Sequence, residues 1–252
     1  MTVKSADRVI DILDLLKDFP DGLTLKEIAN KLSLPQSSTY HLLQTLEKRG
    51  LLLVTERKSY KLGPKLIQIG TRALQTLDIN TEAQPHLRKL MEQVEETVFM
   101  AVMIEQELVY VAKIDNPRSV RTSAQIGMRK PMYCTGLGKA FLAFLPEPVK
   151  ENIVADMEMP AITSNTITNK HELNEQLSVF RKQGYAIDDG ENESGLYCLA
   201  APVYNASGEM VAAVSVSGPK DRVYPRSEEI VEELLKTAKT ISERAGFRKG
   251  GE

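Results

Sequence analysis

Four polar side chains recur at the spacing i, i+3, i+4, i+7 along one predicted helix, so they share one face of it. These residues are Ser37, Tyr40, His41 and Gln44. Hydroxyl, imidazole and amide groups hydrogen-bond to base edges and phosphates when the N-terminal half of a helix lies in the major groove of DNA. The pattern therefore predicts DNA recognition, with Gln36 and Ser38 as further contacts at the helix start. A solvated helix face is the alternative interpretation.

A second group of candidate residues lies in the other half of the chain. Ser215 and Ser217 are two residues apart in an apolar segment, so they share one face of a predicted strand. Hydroxyls beside small side chains can hydrogen-bond a small acid or a hydroxylated ligand in a cavity, although an exposed strand face with incidental serines has the same spacing. Gly136 to Lys139 precede a predicted helix, where glycines let backbone N–H groups approach an anion. The segment lacks the spacing of a P-loop, and a tight turn is the simpler interpretation.

Cysteine-dependent catalysis is the enzymatic alternative. Cys134 or Cys198 could act as the nucleophile, with His86 or His171 as the base. No fixed spacing connects these residues, and a buried structural cysteine is the commoner state. The scattered His and Asp residues form no metal-ligand motif. We therefore expect no catalytic residue, no metal and no cofactor.

Three amphipathic helices are predicted to position the polar face. Thr24 and Glu27 predict a capping box at the start of the second helix, and Ser33 and Gln36 predict another at the start of the third, which ends at Gly50. Apolar residues at i, i+3, i+4 and i+7 line one side of each helix, so the three can bury a shared core. The three stripes are Val9, Ile12, Leu13 and Leu16; Leu25, Ile28, Ala29 and Leu32; and Thr39, Leu42, Leu43 and Leu46.

A basic hairpin follows these helices. Strands are predicted at Leu51–Val54 and Tyr60–Leu62, and Arg57 and Lys58 at the tip between them are suited to contacting phosphates. Three helices and a basic hairpin are typical of a winged helix-turn-helix, which we assign to residues 1–62. This region carries ten Lys and Arg against eight Asp and Glu, and the rest of the chain carries 22 against 26. Because one weakly charged module makes few phosphate contacts, we expect a dimer that reads two half-sites of double-stranded DNA. The alternative is a winged helix that contacts another protein.

Residues 63–79 are predicted to form a linker helix. Its apolar stripe indicates pairing with the same helix of a second chain, since small residues allow close approach, although packing within its own chain would give the same pattern. The stripe consists of Leu66, Ile69, Gly70, Ala73, Leu74 and Leu77.

Residues 80–252 change to mixed strands and helices, which we assign to a second domain. Two hairpins are predicted, one turning near Glu105–Glu107 and the other at Asn205–Gly208. An antiparallel sheet with helices, an α+β fold, results. The predicted helices cover residues 81–95, 138–145, 148–157, 170–183 and 227–245.

Composition agrees with a globular protein of two domains. The chain has 252 residues, 42% hydrophobic and 26% charged, and no apolar stretch approaches the ~18 residues of a membrane span. We expect no cleavable signal, because Met1 to Lys4 run straight into the first predicted helix. Two cysteines without a Cys-x-x-Cys pair favour a reducing compartment, so we expect a cytoplasmic protein without a membrane partner.

With these segments in place, the chain resembles the IclR family of bacterial transcription regulators over essentially its full length. The matching segments are Leu25–Gly50, Gly127–Tyr133 with Thr135–Ala140, Gly184–Asp189, and Gly195–Val203. The resemblance implies a winged helix-turn-helix, a dimerising linker helix, and a C-terminal domain with a six-stranded antiparallel sheet like that of GAF and PAS domains.

The resemblance also implies an effector bound against that sheet. The matching residues are Gly136, Leu137, Asp188, Cys198, Ser215 and Ser217. The backbone at Gly136 and Leu137 and the two serine hydroxyls would act as donors to a small carboxylate or a sugar acid. We therefore expect an effector-responsive repressor, not an enzyme, that binds a palindromic operator as a homodimer or a dimer of dimers. No residue distinguishes repression from activation.

Overall fold

The chain folds into two units, each with its own hydrophobic core. A computed structural model describes residues 3–75, 78–116 and 124–248. The first unit comprises residues 1–76 and the second residues 77–252.

The three predicted helical stripes meet in the core of the first unit. Ile12, Leu16, Ile28, Leu43 and Leu46 are all buried there. The helices are α1 (Lys4–Lys17), α2 (Leu25–Lys31) and α3 (Gln36–Lys48). Since each helix buries one stripe, the opposite faces remain available to solvent or a partner.

One of the two predicted capping boxes forms. The Thr24 side chain accepts a hydrogen bond from the backbone N–H of Glu27, whose carboxylate accepts from the backbone N–H of Thr24 at 2.7 Å. The box predicted from Ser33 and Gln36 is wrong, because α3 begins after Pro35 with no side-chain cap. Ser33 has a φ of +53° in the turn, so it does not lie at the position that caps α3. As predicted, α3 ends next to Gly50, whose φ of +74° lets the chain turn away.

The predicted hairpin forms, and it is joined by a strand that the sequence does not signal. The three strands are β1 (Leu23–Thr24), β2 (Leu52–Val54) and β3 (Ser59–Leu62). They form an antiparallel sheet with β3 in the centre. β1 has two residues, which is too short for an alternating pattern to show in the sequence.

The linker helix α4 (Pro64–Gln75) leaves apolar side chains exposed. Ile67 is 70% exposed and Ile69 is 52% exposed, while Leu66 is half-buried. Of the predicted stripe, the side chains of Ala73 and Leu74 and all of Leu77 lie outside what the structure describes.

The second unit is built on a six-stranded antiparallel sheet in the order β6-β5-β4-β9-β8-β7. The strands are β4 (Thr97–Ile104), β5 (Glu107–Ile114), β6 (Arg129–Lys130), β7 (Ala186–Asp189), β8 (Leu196–Tyr204) and β9 (Met210–Pro219). β4 and β5 turn at Glu105 and Gln106, both with positive φ, so the predicted hairpin is confirmed.

Helices pack on this sheet. They are α5 (Asp78–Val94), α6 (Gly136–Phe144), α7 (Glu147–Ala155), α8 (Lys170–Gln183), α9 (Lys220–Val223) and α10 (Ser227–Arg244), with a 3₁₀ turn at Tyr224–Arg226. α6 lies against β7, β8 and β9, where Ala186, Ala200 and Ala213 contribute to a shared core. Their small side chains allow a helix to approach the sheet closely. The α+β prediction is thereby confirmed.

Within the described ranges, no helix is both long and apolar enough to cross a membrane.

Candidate functional site

The predicted polar face of α3 lies on the surface of the first unit. Ser37, Tyr40, His41 and Gln44 are all exposed. The Gln44 amide Nε2 donates to the Tyr40 hydroxyl at 2.6 Å, and the Tyr40 and His41 rings stack edge to face with centroids 5.7 Å apart. The packing of α3 on α1 and α2 uses the other face, so these side chains are free to contact a partner.

The flanking candidates differ in how available they are. Gln36 is exposed at the start of α3, and Arg57 and Lys58 are exposed in the turn between β2 and β3. Ser38 is half-buried and donates its hydroxyl to the Pro35 carbonyl at 3.0 Å, so only its lone pairs remain for a ligand. Basic groups at a hairpin tip and amide or hydroxyl groups on a helix are the donor set that double-stranded DNA requires.

In the second unit, all six candidate effector residues line one small cavity between the sheet and the start of α6. Its volume is about 30 Å³, which is room for about two water molecules. The lining residues are Phe99, Tyr110, Ala124, Lys130, Thr135, Gly136, Leu137, Asp188, Asn192, Glu193, Leu196, Cys198, Ser215 and Ser217. Side chains that are far apart in the sequence are thus brought to one place.

The start of α6 supplies backbone donors to this cavity. Thr135 caps the helix by accepting from the Gly138 N–H at 3.2 Å, and it donates its hydroxyl to the Pro131 carbonyl at 2.6 Å. Helix geometry leaves the N–H groups of Gly136 and Leu137 without an intrahelical acceptor. A Cβ placed at Gly136 would lie 3.1 Å from the Cβ of Cys198, so glycine allows the helix start to approach β8.

The sheet supplies the opposite wall. Antiparallel register places Asp188 beside Cys198 and Cys198 beside Ser217, in a row across β7, β8 and β9. The Cys198 thiol donates to the Ser217 hydroxyl oxygen at 2.8 Å, which leaves the Ser217 proton able to reach a ligand. Ser215 and Ser217 are 3% and 4% exposed, so the alternative of a solvent-exposed strand face is wrong.

Asp188 is the buried acidic group of the cavity. Burial raises its pKa to about 7, although the Lys139 ammonium and the backbone N–H of Glu191, which donates to Asp188 Oδ1 at 2.8 Å, both favour the charged form. Because the carboxyl gains and loses its proton near neutral pH, it can either donate or accept a hydrogen bond there.

This raised pKa predicts a pH-dependent stability. Between about pH 4 and about pH 7 the folded chain holds a proton on Asp188 that the unfolded chain has lost, so stability must fall as the pH rises through that window. We expect the wild type to lose up to about 4 kcal/mol relative to Asp188→Asn across the window. Urea denaturation at a series of pH values measures this difference, with Asp156→Asn at an exposed position as the control. Parallel profiles for the wild type and Asp188→Asn would contradict the prediction.

A buried ion pair supports the loop that closes the cavity. Lys139 of α6 is 0% exposed, and its ammonium is paired with the Glu191 carboxylate and donates to Gln176 Oε1 at 2.9 Å. Glu191 directly precedes Asn192 and Glu193, which line the cavity. The ion pair therefore ties the position of this loop to α6.

The cysteines lack the features of nucleophiles. Burial raises the pKa of Cys134 to about 12 and also raises the pKa of Cys198, so neither is a thiolate near neutral pH. Within the described ranges, neither thiol is hydrogen-bonded to a histidine, and the His171 side chain is 82% exposed on α8. Among the same residues, no group of three or more His, Cys, Asp and Glu could hold a metal ion.

Several lining residues were not identified from the sequence, notably Phe99, Tyr110 and Lys130. Phe99 and Tyr110 have the alternation of ordinary core residues, and Lys130 lies in a strand of two residues, so no local signal distinguishes them. A larger groove of about 680 Å³ lies between α10 and the end of β8, and none of the predicted residues lines it. The candidate site is therefore defined by converging polar groups and not by size.

Two family descriptions match the chain. The "IclR helix-turn-helix domain" matches residues 5–54, and "Bacterial transcriptional regulator IclR C-terminal" matches residues 71–243. The second match alone covers more than half of the chain.

Individual relatives agree with these matches. The transcriptional repressor IclR of Escherichia coli is 34% identical over 244 residues, covering 95% of this chain and 89% of the relative. The transcriptional regulator KdgR of the same organism is 33% identical over 249 residues, covering 98% and 94%. The crystal structure of the Thermotoga maritima IclR is 33% identical, with a TM-score of 0.79 and coverage of 97% and 99%. These relatives are transcriptional regulators and not enzymes.

Proposed function

The chain belongs to the IclR family of bacterial transcriptional regulators, and from that premise we propose that it is a dimeric repressor whose affinity for DNA changes when it binds a small acid. The observation that carries the proposal is the convergence of two serine hydroxyls, two helix-start amides and one buried carboxyl on a single enclosed cavity. In this proposal the helix-turn-helix binds DNA, and the cavity of the second unit binds the acid.

The DNA-binding half of the proposal rests on α3. Its exposed face carries Tyr40, His41 and Gln44 in a row, and its buried face is already occupied by the core. We propose that this face enters the major groove, while Arg57 and Lys58 contact phosphates beside it. In this proposal Gln36, Ser37 and Ser38 complete the contact surface at the start of the helix.

Symmetric pairing would supply the affinity that one module lacks. Ile69 and Gly70, neighbours in the predicted stripe of α4, are exposed on a helix that directly follows the DNA-binding module. We propose that this face packs against its copy in a second chain, so that two α3 helices address the two half-sites of a palindromic operator. Such a protein would act in the cytoplasm, where its operator is accessible.

The cavity favours a short acid as the effector. The amides of Gly136 and Leu137 and the hydroxyls of Ser215 and Ser217 are donors, as a carboxylate requires. Because the volume of about 30 Å³ has room for only about two water molecules, binding of any organic acid requires the walls to move apart, and a short acid requires less movement than a sugar acid. Binding would act by favouring one of two arrangements of the DNA-binding modules, and the coupling equals the difference in effector affinity between them.

Removing one hydroxyl from the cavity should weaken effector binding without affecting DNA binding. For Ser217→Ala we expect roughly tenfold weaker binding of the acid, because one hydrogen bond to a charged group contributes about 1.5 kcal/mol or more. The acid is first identified by thermal shift against short carboxylates and sugar acids, since a ligand of the native state raises the melting temperature. Affinity is then measured by calorimetry.

Ser178→Ala on the exposed surface of α8 is the matched control, and it should bind the acid like the wild type. DNA binding is tested by fluorescence anisotropy, with DNA from the region upstream of the gene that encodes this protein. Absence of any salt-sensitive DNA binding would refute the proposed function, whereas normal acid binding by Ser217→Ala would refute only the placement of the effector.

A further inference from the structure

Among the described residues that line the effector cavity, acidic side chains outnumber basic ones. Among the described lining residues, Asp188 and Glu193 are acidic and Lys130 is the one base. A carboxylate placed in this cavity is repelled by Asp188 when that carboxyl is ionised, and the repulsion is strong because Asp188 is buried. Lys130 is therefore the side chain able to offset a negative ligand by direct charge attraction.

The pairing of β6 with β5 places Lys130 on the face of the sheet that carries the cavity. Lys130 lies opposite Leu108 on β5, so it shares the face of the sheet that carries Leu108 and, two residues on, Tyr110. Leu108 is buried in the core beneath α6, and Tyr110 lines the cavity. Arg129, the neighbouring residue, lies opposite Val109 on the other face and forms an ion pair with Glu107.

The ammonium of Lys130 has no partner among the described residues. Within the part of the chain that the structure describes, it forms no hydrogen bond, ion pair or cation–π contact, although the side chain is half-buried. The neighbouring Arg129 shows that charged side chains of this strand do find partners when one is in reach. A half-buried cation in the wall of a ligand cavity, with no partner among the described residues, is positioned to pair with a ligand.

Lys130 also borders a second space. A groove of about 570 Å³ lies along β6 and α7, and Lys130 lines both this groove and the cavity. The serine hydroxyls on β9 are placed away from β6, since β5 and β4 lie between β6 and β9 in the sheet. The two serines and Lys130 thus lie on opposite sides of one site, with extra room on the Lys130 side.

We propose that Lys130 is a specificity determinant that pairs with a second acidic group of the effector, so the preferred ligand is a short dicarboxylic acid. This inference rests on the proposed function, because it assigns the ligand class of the same cavity. The first carboxylate occupies the donors of α6 and β9, and the second lies beside Lys130 toward the groove. A flexible lysine with three donors suits a carboxylate whose position varies with chain length.

The test compares two acids of equal length, succinate and butyrate, by calorimetry on the full chain. For the wild type we expect succinate to bind more tightly than butyrate. For Lys130→Met we expect succinate affinity to fall by about tenfold to a hundredfold, as for a hydrogen bond to a charged group, with butyrate affinity unchanged. Lys130→Arg should retain most of the preference, because it keeps the charge.

Lys182→Met is the control, since it removes an exposed cation of α8 that lines neither the cavity nor the groove, and it should leave the affinity for both acids unchanged. Equal binding of succinate by the wild type and Lys130→Met, or butyrate binding that is as tight as succinate binding, would overturn this inference alone. Failure of both acids, and of the wider carboxylate screen, to bind the wild type would overturn the proposed effector class instead.

Discussion

Replacing Tyr40 and Gln44 together by alanine is expected to weaken operator binding by about a thousandfold or more. Each side chain that hydrogen-bonds a base contributes about 1–3 kcal/mol, and a symmetric dimer loses each contact twice. The two residues also act as a unit, since Gln44 donates to the Tyr40 hydroxyl at 2.6 Å and the pair can present fixed donors and acceptors to the groove. The folded state should be unaffected, because both side chains are exposed.

Fluorescence anisotropy at one fixed salt concentration measures this loss, and a thermal melt shows that the variant is folded. Gln93→Ala replaces an exposed helical glutamine of the second unit and serves as the control, with operator affinity expected to equal that of the wild type. Unchanged affinity in the double variant would mean that α3 does not read DNA. The winged helix would then be better explained as a surface for contacting another protein.

Lys139→Met is expected to cost about 3–5 kcal/mol of the free energy of unfolding, the largest stability effect that we predict. The ammonium of Lys139 is fully buried, is paired with Glu191 and lies 5.4 Å from the Phe180 ring centroid. Removing it leaves the Glu191 carboxylate 3% exposed and without a countercharge, and the Oε2 atom already has no hydrogen-bond partner among the described residues. An uncompensated buried charge is the reason for the size of the effect.

The double variant Lys139→Met, Glu191→Leu distinguishes this cause from a loss of packing. With both charges gone, no buried charge is left unpaired, so the double variant should be clearly more stable than Lys139→Met alone. Chemical denaturation followed by circular dichroism measures both. If the two substitutions instead destabilise additively, the loss of the ion pair is not the cause of the lower stability. The position of residues 189–193 relative to α6 would then depend on other contacts.

Much of the fold follows from patterns within a few turns of chain. The predicted helix over 170–183 coincides with α8, because Asn169 at its start accepts from the backbone of His171 and Gly184 at its end adopts a φ of +88°. The turn at Glu105 and Gln106 was likewise visible, since polar residues separate two apolar runs. The capping box at Ser33 failed because the side-chain pattern alone does not specify the φ of the turn residue, which is +53° here.

In the candidate site too, local patterns predict some residues and not others. The polar face of α3 depends only on helix periodicity, and Ser215 and Ser217 share a face because strand residues alternate. A ligand role for these serines was one of two interpretations of their spacing, whereas the ligand roles of Asp188 and Cys198 came from the family resemblance alone. Short strands carried no comparable signal, and Lys130 in the two-residue β6 was therefore not identified.

Helix and strand periodicity act between near neighbours, so the amino-acid order was sufficient for the helix-turn-helix, its polar face and the antiparallel hairpins. Cross-strand register and helix packing act between residues far apart in the chain, and they alone join Lys130, Gly136, Asp188 and Ser217 around one cavity. Burial then sets the chemistry there: it raises the pKa of Asp188 to about 7 and excludes water from the two serines. The exposed face on α3 could thus be recognised from spacing, whereas the volume and charge balance of the cavity depend on how the second unit packs.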